Sequence, residues 1–461
     1  MNFFTKSLFV LCALSAVTGV YAQQEEETIR IYDHIVFYDG YLMYNIPNKD
    51  ADEGVLKFKT SLYSVKLTDE QIDKIGDKLD LNVFVTAACD NYDRIGNINL
   101  AFVEKGKTTY TRSRTGIIEI ARFITPFMDK NKEPSTVPYN YNMDYLSLIL
   151  KDKELREKYD FWIEYELFGI PYAANQQIKG CGGRNDVFQG TLEFVTSGRK
   201  TPTSGNIVVP IVLKKDETVW GNLNNYNKSA TDTIGKTTKT YTFTVPEDVT
   251  DAQIVLITSN HGANSGGEEY NRRNHFVYYE DELVLMYKPG RDSCEPFRKY
   301  NTQANGIYQY SPMSDKQWQS FSNWCPGDAI DNRIIQLGEV KAGEHKIRIS
   351  VPDAKFAGQQ GDIPVSMYFH GVKEGTITSG VVFPTVEHVD FKITENGNYL
   401  NITSEEGIIG VDIYAINGER KYSQEGGENV PIASLPKGIY LVSVEFDSGV
   451  IETRKMLLNA K

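Results

Sequence analysis

Short runs of alternating apolar and polar residues, each stopped by Gly, Pro or Asn, recur along almost the whole chain. Thr28-Ile29-Arg30-Ile31-Tyr32, Thr240-Tyr241-Thr242-Phe243-Thr244-Val245 and His345-Lys346-Ile347-Arg348-Ile349-Ser350-Val351 are the clearest. Side chains alternate across a strand, so a period of two marks a segment with one face buried and the other wet. Helical periodicity is scarce. Only residues 68–79, opened by a candidate N-cap at Thr68, and residues 143–158 carry it. Many short strands with frequent turns predict an all-β chain built from jelly-roll sandwiches. The 37 glycines and 28 tyrosines suit that class, although tyrosine serves equally as a sugar-facing ring and as half-buried strand packing.

Two turn-rich stretches divide the chain, residues 196–205 and the glycine-bearing residues 373–384. They predict an N-terminal jelly-roll domain over 23–200, a second over 201–374, and a small β-sandwich over 384–461. Residues 1–22 read as a signal peptide. Lys6 gives the positive start, residues 7–19 the short apolar core, and Val20-Tyr21-Ala22 a small-residue cleavage site before Gln23. That core is too short for a membrane span and no later run approaches the length of one, so the protein is expected to be secreted or held at the cell surface, with no membrane span. A net charge of −12 argues against nucleic acid, whose binding needs clustered Lys and Arg. About 440 residues would follow the leader, enough for two or three real cores.

Cys12 falls in the leader, leaving Cys89, Cys181, Cys294 and Cys325. An even number in an oxidising compartment suggests two disulfides with three possible connectivities. Pairing within the candidate domains would join Cys294 to Cys325 and Cys89 to Cys181. The first closes a loop worth roughly 3–4 kcal/mol on the chain-entropy model. No two cysteines have zinc-ligand spacing.

The chain has no Gly-rich phosphate loop, no G-x-S-x-G elbow and no H-E-x-x-H. Its six histidines are scattered without ligand spacing, so neither a metal nor a cofactor is expected. Carboxylates remain. Cys89-Asp90-Asn91-Tyr92-Asp93-Arg94 packs two acids, a ring and a guanidinium between strand-like runs at 81–85 and 98–103, and a loop hung on strands holds side chains firmly. Within residues 161–168, alternation puts Trp162, Glu164 and Glu166 on one face. Glu164 is then either a desolvated acid with a raised pKa or part of a solvated face. Residues 260–276 set Glu268 and Glu269 against Arg272 and Arg273 around glycines 262, 266 and 267. That is either a surface ion-pair cluster or a polar, charge-stabilising loop for sugar.

Together these segments resemble the peptide-N-glycosidase F family, secreted bacterial amidases that release N-linked glycans from asparagine. The family's Cys-Asp-aromatic-Asp-Arg loop is matched at residues 89–94. Its Ile-Gly-Arg-Phe-Ile-Thr-Pro-Tyr run is matched by Ile120-Ala121-Arg122-Phe123-Ile124-Thr125-Pro126-Phe127. Its Gly-Trp-Cys-Pro-Gly segment and following Arg-Ile are matched by Asn323-Trp324-Cys325-Pro326-Gly327 and Arg333-Ile334. The order and approximate spacing agree from Thr28 to Gly371.

The resemblance implies two eight-stranded antiparallel jelly rolls side by side, with the active site in the cleft between them. It implies Asp93 as the principal catalytic acid, with Glu269 and Glu164 in support. Arg94, Tyr92, Tyr270 and Trp324 would bind substrate. The reaction is hydrolysis of the amide joining asparagine to the first N-acetylglucosamine, and the partners are N-glycosylated proteins or glycopeptides met by a monomer. Tyr92, Glu166 and Tyr270 stand where relatives carry Trp. The family's cysteine shortly before Cys89 and those flanking Glu269 are absent.

The alternative is a non-catalytic jelly-roll protein that binds glycan or glycopeptide. A copper monooxygenase with paired jelly rolls would need histidine clusters and a Met ligand. The last unit, through Pro436-Lys437-Gly438-Ile439-Tyr440-Leu441-Val442 and Lys455-Met456-Leu457-Leu458, resembles a type IX secretion sorting domain, which would engage the secretion machinery.

Overall fold

The structure is a computed structural model that describes residues 26–42, 53–171, 173–213, 223, 237–262, 268–303, 314–316, 322–354, 362–374, 389–415, 419–427, 429–447 and 451–458. The stretch over 1–22 expected to be a leader, most of the 373–384 stretch expected to be a linker, and glycines 266 and 267 lie outside them. Among the described residues no helix is long and apolar enough to cross a membrane.

The first part of the chain supplies strands β1 (Glu27–Tyr38), β2 (Val55–Lys59), β3 (Leu62–Lys66), β4 (Lys78–Ala87), β5 (Ile95–Glu104), β6 (Gly116–Ile124), β7 (Thr136–Asn142), β8 (Tyr159–Leu167) and β9 (Asp186–Ser197). The middle supplies β10 (Asn206–Val212), β11 (Thr238–Val245), β12 (Val249–Thr258), β13 (His275–Tyr279), β14 (Glu282–Tyr287), β15 (Ala329–Ile330), β16 (Arg333–Val340), β17 (Gly343–Ser350) and β18 (Val365–Lys373). The end supplies β19 (Phe391–Asn396), β20 (Tyr399–Ser404), β21 (Ile408–Ala415), β22 (Arg420–Glu425), β23 (Val430–Pro431), β24 (Gly438–Phe446) and β25 (Ile451–Leu458).

Among the described residues all strand pairs are antiparallel, and the two larger sandwiches share one topology. In the first, β1-β9-β4-β7 faces β6-β5-β8-β3, with β2 added outside β3. In the second, β10-β18-β12-β16 faces β11-β17-β13-β14. With eight strands counted in chain order, both read 1-8-3-6 against 2-7-4-5, the jelly-roll order. The sequence shows no repeat between the halves, yet the backbone repeats. One element breaks the division: β15, from the middle of the chain, pairs with β6 and extends the first sandwich's sheet. A third, smaller sandwich packs β19-β20-β23 on β22-β21-β24-β25.

The local reasons are those of the alternation. In β4, Leu79, Leu81, Val83 and Val85 are buried in the first core while Lys78 and Asp80 are exposed. Thr68 caps α1 (Asp69–Asp73), its hydroxyl accepting from the Gln71 amide while the Gln71 side chain returns to the Thr68 amide. The helical pattern at 143–158 forms two helices, α2 (Asp144–Leu150) and α3 (Lys153–Lys158), because Asp152 caps the second through the Leu155 amide at 2.9 Å.

The sandwiches are joined by a buried polar knot. Arg122 on β6, fully buried, forks onto Glu119 at 2.7 and 2.8 Å and also reaches Ser259 Oγ at 3.0 Å and the Pro364 carbonyl at 2.9 Å. Ser366 donates to the same Glu119. An apolar patch lies beside this knot, where Ile124 and Phe127 meet Ile257, Trp324 and Ile330. The third sandwich docks on the second through Phe276, Tyr278 and Met286 against Tyr414 and Leu441.

Candidate active site

The loop after β4 is pinned at both ends. Its first residues pair onto the start of β9, Cys89 N–H to Asp186 O at 3.0 Å and Asp90 N–H to Val187 O at 3.3 Å. A disulfide joins Cys89 to Cys181, with Cα atoms 5.5 Å apart. A second joins Cys294 to Cys325. Asp90 is buried and serves as the loop's internal post. It accepts from the Tyr92 amide at 2.9 Å, the Ile170 amide at 2.7 Å and Arg94 Nε at 2.6 Å.

Thr125 then grips the backbone on both sides of Asp93. Its hydroxyl donates to the Tyr92 carbonyl at 3.1 Å and accepts from the Arg94 amide at 2.7 Å, and its own amide donates to the Arg94 carbonyl at 2.8 Å. The Asp93 carboxyl is thus held on a fixed backbone. Loss of solvent around this half-buried side chain first, and the negative charge of Glu269 second, push its pKa up to about 8, against the opposing pull of Arg94. At neutral pH this carboxyl carries a proton.

Glu269 comes from the second sandwich, and its negative charge acts on Asp93. Its Oε2 accepts from the Gly262 amide at 2.9 Å, and its amide donates to the Gly262 carbonyl at 3.3 Å. Gly262 has φ 105, a conformation that excludes a side chain. The Glu269 carbonyl is gripped by Ser322 Oγ and Asn323 Nδ2, both at 2.6 Å. Burial raises the Glu269 pKa, while the Gly262 amide and the Tyr270 side chain oppose the rise. Arg273 pairs with the buried Glu268 at 2.9 Å, and Arg272 is spent on backbone carbonyls at 289–291. The acids and arginines therefore stiffen the loop instead of forming a loose surface cluster.

The structure does not bring Glu164 to this pair. Glu164 is fully buried, not part of a solvated face, and takes hydrogen bonds from Asn99 Nδ2, Tyr110 Oη and Arg112 Nε, each at 2.9 Å. It pairs across the ladder with Asn99, four residues beyond Ile95 where the Asp93 loop joins β5, about 13 Å at strand rise. Glu166 pairs with Asn97 on the same face, one step nearer Asp93, and is 8% exposed.

Trp324 also departs from expectation. At 3% exposed it offers no sugar-facing ring; its indole donates to the Asn260 carbonyl at 2.9 Å and stacks on His261. Arg94 is committed to Asp90 and lies 5.1 Å from the centre of the half-buried Tyr92 ring. Tyr270 is exposed beside Glu269. Sequence reasoning missed the roles of Thr125, Ser322 and Asn323. The Thr-Pro and Asn-Trp-Cys-Pro runs were visible signals, but no local pattern says that they hold the backbone beside Asp93 and Glu269.

Models of the peptide-N-glycosidase F family match the chain, the N-terminal model over residues 28–181 and the C-terminal model over residues 225–370. Among solved structures, PNGF-II in its P21 and C2 crystals aligns with TM-scores of 0.53 and 0.54 at 18% and 17% identity. Those alignments cover 76% and 77% of this chain and 66% of PNGF-II, so the likeness speaks for the fold of about two thirds of that protein. PNGase F of Flavobacterium meningosepticum, described as a glycosylasparaginase, aligns at 15% identity and TM-score 0.48 over 77% of this chain and 98% of that one. No curated protein matches the chain.

Proposed function

Because the chain belongs to the peptide-N-glycosidase F family, we propose that it is an amidase hydrolysing the bond between the asparagine side chain of glycoproteins and the first N-acetylglucosamine. The observation that carries this reading is the Asp93–Glu269 pair, two carboxyls from different sandwiches whose proximity and burial keep Asp93 protonated at neutral pH.

In this reading the Asp93 proton goes to the amide nitrogen as its bond to carbon breaks, so glycosylamine leaves neutral. Water supplies the new oxygen on carbon and returns a proton to Asp93, leaving aspartate on the peptide. Glu269 and Tyr270 position the first sugar, and the Asp90–Arg94 pair fixes the loop. The carboxyl best placed to hold a water near Asp93 is Glu166, while Glu164 braces the sheet with Arg112. The protein acts after export, which the two disulfides suit, and the C-terminal sandwich serves the secretion machinery.

Asp93→Asn tests the assignment. It should abolish glycan release from a tryptic glycopeptide while circular dichroism stays native; retained release would sink the role given to Asp93.

A further inference from the structure

An aromatic pair on the rim of the first sandwich has no part in the chemistry above. Tyr41 is 72% exposed, the highest value for a large apolar side chain among the described residues. It stands edge-on to the half-buried Phe168, with ring centroids 5.5 Å apart at 80°. The turn that presents it is tied down. Asp39 Oδ1 accepts from the Tyr41 amide at 3.0 Å, Thr60 Oγ1 donates to the Asp39 carbonyl at 3.0 Å, and Gly40 N–H donates to the Gly169 carbonyl at 2.9 Å. A side chain at Gly40 would place its Cβ 2.2 Å from the Phe168 ring, so the ring beds directly on backbone. A tightly built turn that points a tyrosine outward forgoes the gain of burying it.

Its place is near the cleft. Phe168 follows β8 in the parity of Glu164 and Glu166, the face of that strand opposite the core. Two residues on, the Ile170 amide binds Asp90, the post of the catalytic loop. The sheet order β5-β8-β3 puts the Tyr41 turn, bonded to Thr60 just before β3, two strand spacings from the Asp93 loop, about 10 Å.

We propose that Tyr41 and Phe168 form a pyranose-stacking subsite that holds outer sugars of the glycan whose linkage is cut at Asp93. This rests on the amidase reading for its purpose, but not for its detection. A pyranose presents C–H groups on one face and hydroxyls at its edge. An exposed phenol ring beside Asp39 matches both.

Calorimetric titration of free sugars separates the two claims, because binding needs no hydrolysis. The probes are the trimannosyl-chitobiose pentasaccharide, chitobiose alone, and the unglycosylated peptide. Tyr41→Ala and Phe168→Ala should each weaken the pentasaccharide about tenfold and leave chitobiose unchanged, while Tyr41→Phe keeps most of the affinity. Tyr41 is so exposed that its truncation should leave the melting temperature alone. Unchanged pentasaccharide affinity overturns the proposal, and so does an equal loss for chitobiose or a loss for the peptide. Tyr41-dependent binding by a protein that releases no glycan would remove the amidase reading and leave the subsite standing.

Discussion

Replacing Asp93 by Asn should stabilise the protein while destroying its activity, and the gain should grow with pH. The Asp93 carboxyl titrates at about 8 when folded and near 3.8 when unfolded. Below about pH 4 it is protonated in both states, so the wild type loses nothing. Between those values the unfolded chain releases the proton and the folded one keeps it, costing the native state about 1.4 kcal/mol per pH unit. At pH 7 the penalty reaches about 4 kcal/mol, and above pH 8 it levels near 6 kcal/mol; solvent contact at the cleft reduces both to a few. Asparagine mimics the protonated acid and removes the penalty. At about 2–4 °C per kcal/mol, the variant should melt on the order of 10 °C above the wild type at pH 8 and level with it at pH 4. The assay is paired thermal melts from pH 4 to 9. A difference that stays flat with pH, or a variant that loses stability as pH rises, would refute the account of Asp93.

Other consequences are open to the same methods. Activity should fall as pH rises through about 8, where Asp93 loses the proton it donates, and Glu269→Gln should move that fall to lower pH by removing a neighbouring negative charge. Glu164→Gln should cost about 3 kcal/mol in denaturant titrations by stranding Arg112, yet leave kcat within a few-fold. Glu166→Gln should lower kcat at least about tenfold. Arg122→Ala strands Glu119 between the sandwiches and should cost about 3–5 kcal/mol in the same titrations.

Some of this was legible in the residues because its causes are local. Alternation marked β1, β11 and β17, and Thr68 was readable as a cap because its bond spans three residues. Four cysteines suggested two bridges, and pairing within the candidate domains named the two that form, Cys89–Cys181 across 92 residues and Cys294–Cys325 across 31. The paired jelly rolls were legible through the family resemblance and not through local pattern, since backbone pairing is indifferent to which side chains alternate. β8 shows why Glu164 stayed ambiguous. Both of its faces are buried, one in the core and the other under hydrogen-bonding partners from β5 and the 110–112 segment, and a local pattern cannot report what covers the second face. Trp324 misled for a related reason. The family resemblance carried a substrate-binding role onto it, and a matched motif does not report that its indole is spent on the Asn260 carbonyl.

The central claim is that this chain cuts the asparagine side-chain amide. Mass spectrometry of a defined N-glycopeptide after incubation tests it most directly. The account predicts that the whole glycan leaves and that asparagine at the site becomes aspartate. A peptide that keeps one N-acetylglucosamine, or that keeps its whole glycan, would contradict it.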